Sequence, residues 1–199
     1  MKTIATINFK GGVGKTTATW ALCQVIAQDA GINTLMFDLD AQMSLTQAIA
    51  LNEDGNPFKS FTDWYEKSLG KKKTIFNALD EFTKPASFNF GINHDFIYKI
   101  TDRFHFVPSA EDLYWTELEL FDRDKVKFFI RRLLEKIQNS ANVPEYNYVF
   151  FDCPPSFSLL SYSVLSCCDL VLIPINPDFF AAKGLNLLLR SLQMRIEPF

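Results

Sequence analysis

The chain has 199 residues, of which 48% are hydrophobic and 22% charged, and its formal net charge is −3. This length and composition are typical of one globular domain with a substantial core, with room for an inserted subdomain. No apolar run reaches the roughly 18 residues that a transmembrane helix needs, which excludes a membrane span. The small negative charge gives no support for nucleic acid as a partner of the whole surface, and it leaves room for a local basic patch.

The cysteines are expected to be free thiols in a reducing cytoplasm, because they lack the C-x-x-C spacing of redox and metal motifs. The adjacent pair at 167 and 168 could instead form a metal or redox site. Neither a histidine nor a second cysteine pair lies near it in the sequence, so burial as small hydrophobic side chains is the favoured interpretation. The cysteines are Cys23, Cys153, Cys167 and Cys168.

The chain begins with the pattern of a strand, a glycine-rich turn and a helix. β-branched residues in 3–8 predict a buried strand, which argues against a secretory signal at this point. Residues 18–30 are rich in helix formers and contain neither glycine nor proline. The glycine-rich stretch 10–17 lies between them, which is the context that a phosphate-binding loop requires.

The composition of the turn suits a bound phosphate. Glycines in it allow positive φ angles and let a phosphate approach the backbone amides without meeting a Cβ. The unpaired N–H groups at the start of the helix then point at the anion, and the helix dipole adds to the attraction. Lys15 supplies a positive charge for the β and γ phosphates, and the hydroxyl of Thr16 is placed to ligate Mg²⁺.

The turn departs from the strict pattern G-x-x-x-x-G-K-[ST], because Phe9 stands at its first position and a second lysine, Lys10, follows. The form K-G-G-x-G-K-T resembles the deviant Walker A family of P-loop ATPases, whose members include ParA, MinD, the nitrogenase iron protein and the arsenite-pump ATPases. The resemblance implies that Lys10 reaches the phosphates of a partner subunit in a nucleotide-sandwich dimer. It implies ATP contacts from Lys10, Gly11, Gly12, Val13, Gly14, Lys15, Thr16 and Thr17, with catalytic roles for Lys10 and Lys15.

The second informative segment is a nearly continuous apolar run over 32–40 that ends in two carboxylates. Ligands of an open α/β sheet bind at the carboxyl ends of its strands, so these acids are expected to face the nucleotide. Asp38, Asp40 and Gln42 resemble the family motif D-x-D-x-Q, and strand alternation places the two acids on the same side. The resemblance implies catalytic roles for both acids. Asp40 would orient the attacking water and Asp38 would lie near the metal, a division that the sequence leaves open.

The middle of the chain is the least regular. Residues 43–50 predict a helix, and an aromatic-rich insertion extends over about 52–111, with helical spacing at 60–69 and 74–82. Local core packing is favoured for these aromatics, and a partner surface is the alternative. The lysine triplet 71–73 could contact DNA phosphates, although a solvated loop is the simpler interpretation.

Residues 103–110 predict a short strand and a turn that resemble the family element L-L-P-A. Two helices are expected next, over 111–120 and 123–140. In the second helix, apolar residues recur at three- and four-residue spacing, which predicts an amphipathic helix packed on a sheet.

Residues 148–152 form an apolar run that closes on Asp152, and two prolines follow after Cys153. This strand resembles the Walker B element, in which the carboxylate holds Mg²⁺. The form D-C-P-P-S resembles ParA relatives more closely than MinD. The resemblance therefore implies a magnesium site formed by Thr16, Asp38 and Asp152.

A helix over 157–166, a strand over 169–175 and a helix over 181–194 are expected in the last part of the chain. The loop between the last two contains Pro177, which by resemblance contacts the nucleotide. ParA relatives normally continue beyond the position of Phe199. We therefore expect a shortened chain that lacks the C-terminal part of the family fold.

The predicted fold is a doubly wound, mainly parallel α/β sheet, a P-loop NTPase of the deviant Walker A type, forming a single domain over 1–199. By resemblance, the strand ending in Asp152 lies between the first strand and the strand ending in Asp38.

The implied function is a ParA-type switch in the cytoplasm, associated with the nucleoid. ATP and Mg²⁺ would drive homodimerisation and non-specific binding of double-stranded DNA, and an adaptor protein on the cargo would stimulate slow hydrolysis. The cargo would be a plasmid, a chromosome or a protein body such as the carboxysome, which McdA proteins position.

Two alternatives come from other classes. A MinD-like membrane-cycling ATPase, which positions division sites or organelles, would need a C-terminal amphipathic helix, and none is visible in this sequence. A redox ATPase like the nitrogenase iron protein would need a cluster-ligating cysteine, and Cys153, directly after Asp152, is poorly placed for that role.

Overall fold

The computed structural model describes residues 1–29, 31–50, 65–66, 73–84, 94–119, 123–177 and 179–195. The described strands are β1 (Lys2–Thr6), β2 (Thr34–Asp38), β3 (Tyr98–Lys99), β4 (Phe104–Val107), β5 (Tyr148–Asp152) and β6 (Leu170–Leu172). The described helices are α1 (Lys15–Asp29), α2 (Ser44–Ala50), α3 (Ile75–Thr83), α4 (Asp112–Glu119), α5 (Arg123–Val126), α6 (Phe129–Gln138), α7 (Leu159–Leu165) and α8 (Phe179–Arg195). A short 3₁₀ helix covers His94–Phe96.

The strands form one sheet in the order β3-β4-β2-β5-β1-β6. All neighbours pair in parallel except β3 and β4, which are antiparallel. The predicted position of the strand ending in Asp152 is therefore confirmed, because β5 pairs with β1 on one side and β2 on the other. This arrangement places the ends of three motif-bearing strands side by side.

The central strands are apolar on both faces, as expected for a parallel sheet covered by helices on each side. Met36 and Phe150 belong to a core cluster shared with α1 and α2, whereas the next residues, Phe37 and Phe151, belong to a cluster shared with α3, α6 and α7. Phe37 and Phe151 stack with ring centroids 5.0 Å apart. The helices therefore cover opposite faces, and the predicted doubly wound fold is confirmed.

The prediction of one continuous helix over 123–140 is wrong. The helix is divided into α5 and α6 at residues 127–128, and the amide of Ile130 donates a 3.0 Å hydrogen bond to the hydroxyl of Ser163 on α7. In an unbroken helix that amide would donate to the carbonyl of Val126. A side chain on the neighbouring helix thus takes the place of the backbone acceptor.

The strand predicted over 169–175 is also too long, since β6 covers only Leu170–Leu172. β6 pairs only with β1 within the described sheet, and that pairing ends where Thr6 meets Leu172. Pro174 follows and has no N–H to donate to a further ladder.

Part of the predicted insertion lies outside the described residues. The helix predicted over 74–82 is present as α3, whereas most of the helix predicted over 60–69, together with lysines 71 and 72, falls outside the described ranges. None of the helices in those ranges is both long enough and apolar enough to span a bilayer.

Candidate functional site

Three neighbouring strands end together at one edge of the sheet. Asp152 at the end of β5 is the register partner of Thr6 in β1 and of Asp38 in β2. The backbone continues this alignment, because the amide of Leu39 donates to the carbonyl of Asp152 and the amide of Cys153 donates to the carbonyl of Thr6. Ligands of an open α/β sheet bind beyond the carboxyl ends of its strands, so this edge is the candidate site.

The loop from β1 to α1 turns back over this edge. Gly12 and Gly14 have φ angles of +71° and +85°, the left-handed region that glycine adopts at no steric cost. A Cβ at either position would meet nothing within 4 Å. Steric crowding therefore does not explain glycine at these two positions. The positive φ angles and the open approach to the backbone amides do.

Asn8 fixes the start of this loop, a role that the sequence analysis missed. Its side-chain oxygen accepts a 3.0 Å hydrogen bond from the amide of Lys10, and its side-chain nitrogen donates a 2.7 Å bond to the carbonyl of Pro174. These two hydrogen bonds connect the glycine-rich loop to the segment that follows β6. The available signal was a carboxamide between a buried strand and a glycine-rich turn, a position where Asn commonly bonds local backbone.

Lys15 is the first residue of α1 and is largely buried. Its ammonium group donates a 3.3 Å hydrogen bond to the carbonyl of Lys10, so its side chain folds back along the inside of the loop. Lys10 and Gly11 are exposed at the start of the loop, and Thr17 is exposed in the first turn of α1, whereas Val13 is buried. The loop therefore presents one lysine inward and one at its surface.

Thr16 and Asp152 meet beneath this loop. The hydroxyl of Thr16 donates a 2.7 Å hydrogen bond to Oδ2 of Asp152, while the buried Oδ1 of the same carboxyl has no hydrogen-bond partner. Burial raises the pKa of Asp152 to about 6, opposed by the Thr16 hydrogen bond and the charge of Lys15. An unpaired buried carboxylate oxygen beside a hydroxyl is costly unless a cation or donor approaches it.

These two groups fit a magnesium ion. Mg²⁺ prefers oxygen ligands and usually keeps several waters, so one carboxylate and one hydroxyl are a sufficient protein contribution. Within the described part of the chain, no group of three or more His, Cys, Asp or Glu side chains could hold a metal ion. A cation at this site would consequently depend on oxygens of a ligand and of water.

Asp38 is fully buried beside Asp152, its register partner on the adjacent strand. Its carboxylate accepts three hydrogen bonds, from the amide of Asp40 at 3.1 Å, the amide of Thr46 at 2.8 Å and the hydroxyl of Thr46 at 2.7 Å. Burial, and secondly the charge of Asp152, raises the pKa of Asp38 to about 7. The structure therefore places Asp38 among internal donors as well as close to the predicted metal site.

Asp40 lies just beyond the end of β2 and is only partly buried. Its Oδ1 accepts a 2.9 Å hydrogen bond from the amide of Gln42, and its carbonyl accepts a 2.8 Å bond from the amide of Met43. Met43 has a φ of +53°, so this turn closes tightly before α2. Asp40 is thus the more accessible of the two acids of the motif.

The remaining predicted residues are placed less informatively. Pro177 is exposed in the segment between β6 and α8. Cys153, beside Asp152, is buried, and burial raises the pKa of its thiol well above the usual range. Cys167 and Cys168 also have raised pKa values, about 12 and about 11, chiefly through burial. All the cysteines are free, and these thiols lack the thiolate character of reactive or ligating cysteines.

Comparison with known proteins agrees with this geometry. A family model described as an AAA domain matches residues 1–197. The chromosome partitioning protein ParA of Myxococcus xanthus is 29% identical over 187 residues, covering 94% of this chain and 56% of that protein. The sporulation initiation inhibitor protein Soj of Bacillus subtilis is 27% identical over 194 residues, covering 97% of this chain and 65% of that protein.

Two solved structures share the fold. A plasmid partition protein of Borrelia burgdorferi B31 bound to AMPPNP has a TM-score of 0.73 at 23% identity, covering 100% of this chain and 72% of that one. An ATP complex of McdA from Cyanothece has a TM-score of 0.71 at 20% identity, covering 98% of this chain and 64% of that one.

The chain spans between 50% and 66% of the length of eight curated relatives that it matches. The family match nevertheless extends over nearly all of its residues, and it includes the glycine loop and the three acids at the sheet edge. The chain therefore belongs to the AAA domain family matched over residues 1–197, as a ParA-like member.

Proposed function

We propose that this chain is the ATPase module of a ParA-type partitioning or positioning switch, which binds and slowly hydrolyses ATP with Mg²⁺. The observation that carries the proposal is the contact of Thr16 with Asp152, which leaves a buried carboxylate oxygen unpaired under a glycine loop. An isolated structural acid would have its oxygens paired internally. AMPPNP and ATP in the two neighbouring structures support the choice of nucleotide.

The loop would hold the triphosphate. Amides around Gly12 and Gly14 and the start of α1 form an anion-binding concavity, and Lys15 lies inside it as a positive charge for the β and γ phosphates. Asn8 would keep the loop in register by its bond to the amide of Lys10. A loop held by the two hydrogen bonds of Asn8 would cost little further ordering on nucleotide binding.

Thr16 and Asp152 would hold Mg²⁺, directly or through water. When bound, the ion would neutralise charge on the phosphate oxygens during phosphoryl transfer. Asp152 would have to be ionised for this role, and its raised pKa means that cation binding is coupled to loss of a proton below about pH 6.

Asp40 would orient the attacking water, because it is the partly exposed acid at the same edge of the sheet. Asp38 remains a candidate for the metal's surroundings, although its hydrogen bonds to Asp40 and Thr46 suit a supporting role. In this assignment the difference in burial separates the roles of the two acids. The buried Asp38 would support the backbone of Asp40, and the accessible Asp40 would orient the water.

The wider cycle is also proposed. ATP would bring two copies together with Lys10 of each reaching the other's phosphates, and the dimer would bind DNA without sequence preference at the nucleoid. An adaptor on the cargo would then stimulate hydrolysis. The names of the Myxococcus and Borrelia relatives support a chromosome or plasmid cargo. A carboxysome-type cargo is proposed from the resemblance to McdA proteins, and the fold shared with McdA agrees with it. The chain would act as one domain that carries the aromatic-rich insertion at about 52–111, and packing of Phe76, Phe82 and Phe96 on the core supports a local packing role for its aromatics.

The decisive experiment is DNA co-sedimentation with Mg²⁺ and either ATP or ADP. DNA binding is expected with ATP and at least tenfold less with ADP. Lys10→Ala should retain nucleotide yet lose DNA binding, whereas Lys84→Ala, which removes an exposed lysine paired with Asp80, is the matched control. Equal DNA binding in both nucleotide states would contradict the switch, and absence of phosphate release from ATP would contradict the ATPase assignment.

A further inference from the structure

A closed ring of hydrogen bonds surrounds the backbone of Asp40. The amide of Asp40 donates to Oδ1 of Asp38 at 3.1 Å, and the hydroxyl of Thr46 donates to Oδ2 of Asp38 at 2.7 Å. The same Thr46 oxygen accepts from the amide of Ser109 at 3.0 Å. The hydroxyl of Ser109 then donates to the carbonyl of Asp40 at 2.8 Å, which completes the ring.

This ring joins three separate parts of the fold. Asp38 ends β2, Thr46 lies in the first turn of α2, and Ser109 lies between β4 and α4. Asp38, Thr46 and Ser109 are each no more than 1% exposed. The two bonds of the Thr46 hydroxyl oxygen are buried and the two bonds to Asp40 are partly buried, so they compete with water less than surface bonds do and fix the geometry of their partners more strongly.

The ring holds Asp40 at both its amide and its carbonyl. A residue whose amide and carbonyl are both held has little freedom to rotate about φ and ψ. This restriction sets the direction of the Asp40 side chain. A side chain without a hydroxyl could not make the same bonds at either position. The Thr46 hydroxyl acts as donor and acceptor at once, and Ser109 uses its amide and its hydroxyl on different partners.

We infer that Thr46 and Ser109 are positioning residues for hydrolysis, which hold Asp40 in the orientation that aligns the attacking water. This inference rests on the proposed ATPase function and on the role proposed there for Asp40. Displacement of a catalytic group by about 1 Å can cost on the order of 100-fold in rate. Loss of one hydroxyl should therefore lower the rate of hydrolysis while leaving the phosphate loop, and nucleotide affinity, intact.

The test compares Ser109→Ala with Ser109→Thr, which retains a hydroxyl. Single-turnover ATP hydrolysis is measured beside the affinity for a fluorescent ATP analogue. Ser109→Ala should hydrolyse at least tenfold more slowly with affinity within about twofold of the parent chain, and Ser109→Thr should recover most of the rate. Ser191→Ala is the matched control, because Ser191 also donates to a backbone carbonyl, that of Leu187, on the distant helix α8.

A second variant pair covers the case in which Ser109→Ala fails to fold, as judged by its thermal unfolding. Thr46→Ser retains the hydroxyl and should be close to the parent rate, whereas Thr46→Val removes it and should be slow. In an Asp40→Ala background, loss of the Ser109 hydroxyl should have no further effect, because residues that act as a unit are non-additive.

Parent-like hydrolysis by Ser109→Ala, or an additive effect in the Asp40→Ala background, would overturn the positioning role. A parallel loss of nucleotide affinity and rate would overturn it too, since that is the signature of a general structural defect. If the parent chain itself releases no phosphate from ATP, the proposed function fails first, and this outcome is distinguishable because it appears before any substitution is made.

Discussion

Asp38 and Asp152 are register partners at the carboxyl ends of two adjacent parallel strands, and the pKa of each carboxyl is raised, to about 7 and about 6. Burial is the main cause for both, and the charge of Asp152 adds to the effect on Asp38. The sheet thus buries two acids side by side, and a bound cation would lower the free-energy cost of ionising them.

The ligand-free protein should lose stability as the pH rises. A carboxyl whose folded pKa is raised contributes stability that is fully present below its unfolded pKa of about 4 and is lost as the pH rises through its folded value. For Asp152 the window ends at about pH 6, and the loss is at most about 3 kcal/mol at 1.36 kcal/mol per pKa unit. Thermal unfolding in EDTA from pH 4 to 8 measures it.

Asp152→Asn should remove the part of that dependence that Asp152 contributes and leave the part that the buried Asp38 contributes, because the amide carries no charge while it can still bond the hydroxyl of Thr16. Asp80→Asn, at an exposed carboxylate paired with Lys84, is the control and should leave the dependence unchanged. An unaltered pH profile in Asp152→Asn would contradict the burial argument.

Lys15→Ala should abolish nucleotide binding. The ammonium group is largely buried and lies inside the loop, where it bonds the carbonyl of Lys10. Its loss would leave the phosphates without a charge partner and the loop without an internal tie, so affinity is expected to fall at least about 100-fold, or roughly 2.7 kcal/mol. A fluorescence titration with an ATP analogue checks this, and affinity near that of the parent chain would refute it.

Asp40→Ala should retain ATP and accumulate as a dimer. Asp40 is proposed to act on the water rather than on the phosphates, so its loss should reduce hydrolysis to a slow residual rate after nucleotide has bound and the two copies have associated. Size-exclusion chromatography with light scattering, at saturating ATP and Mg²⁺, measures the mass. A monomeric variant under these conditions would reverse the assignment.

Gly14→Ala should destabilise the loop through its backbone. The φ of +85° lies in a region that costs an L-residue about 1 to 2 kcal/mol, although the added Cβ meets no atom within 4 Å. Gly11→Ala is the matched control, since a Cβ there also meets nothing within 4 Å and Gly11 is not among the positive-φ glycines. Urea unfolding of the two variants should separate conformation from space, and equal stabilities would contradict the prediction.

Local patterns in the sequence were sufficient for much of the fold and for the outline of the candidate site. The strand at 148–152 was predicted with the bounds that β5 has, because a short apolar run closed by an acid and two prolines contains its own start and stop. The strand, glycine turn and helix at the start of the chain were equally local, although α1 begins at Lys15 rather than at residue 18. The roles of the individual site residues stay predictions.

What the sequence determined by itself was the set of groups available at the edge of the sheet: a glycine loop, two lysines, a hydroxyl and three acids. What only the tertiary structure decided was how those groups are held. Ser109 reaches Asp40 and Thr46 across 69 and 63 residues, and Ser163 interrupts the helix at Ile130 from 33 residues away. Neither contact leaves a local pattern, because a buried hydroxyl finds its partner through the packing of distant elements, and that packing is fixed only when the chain folds.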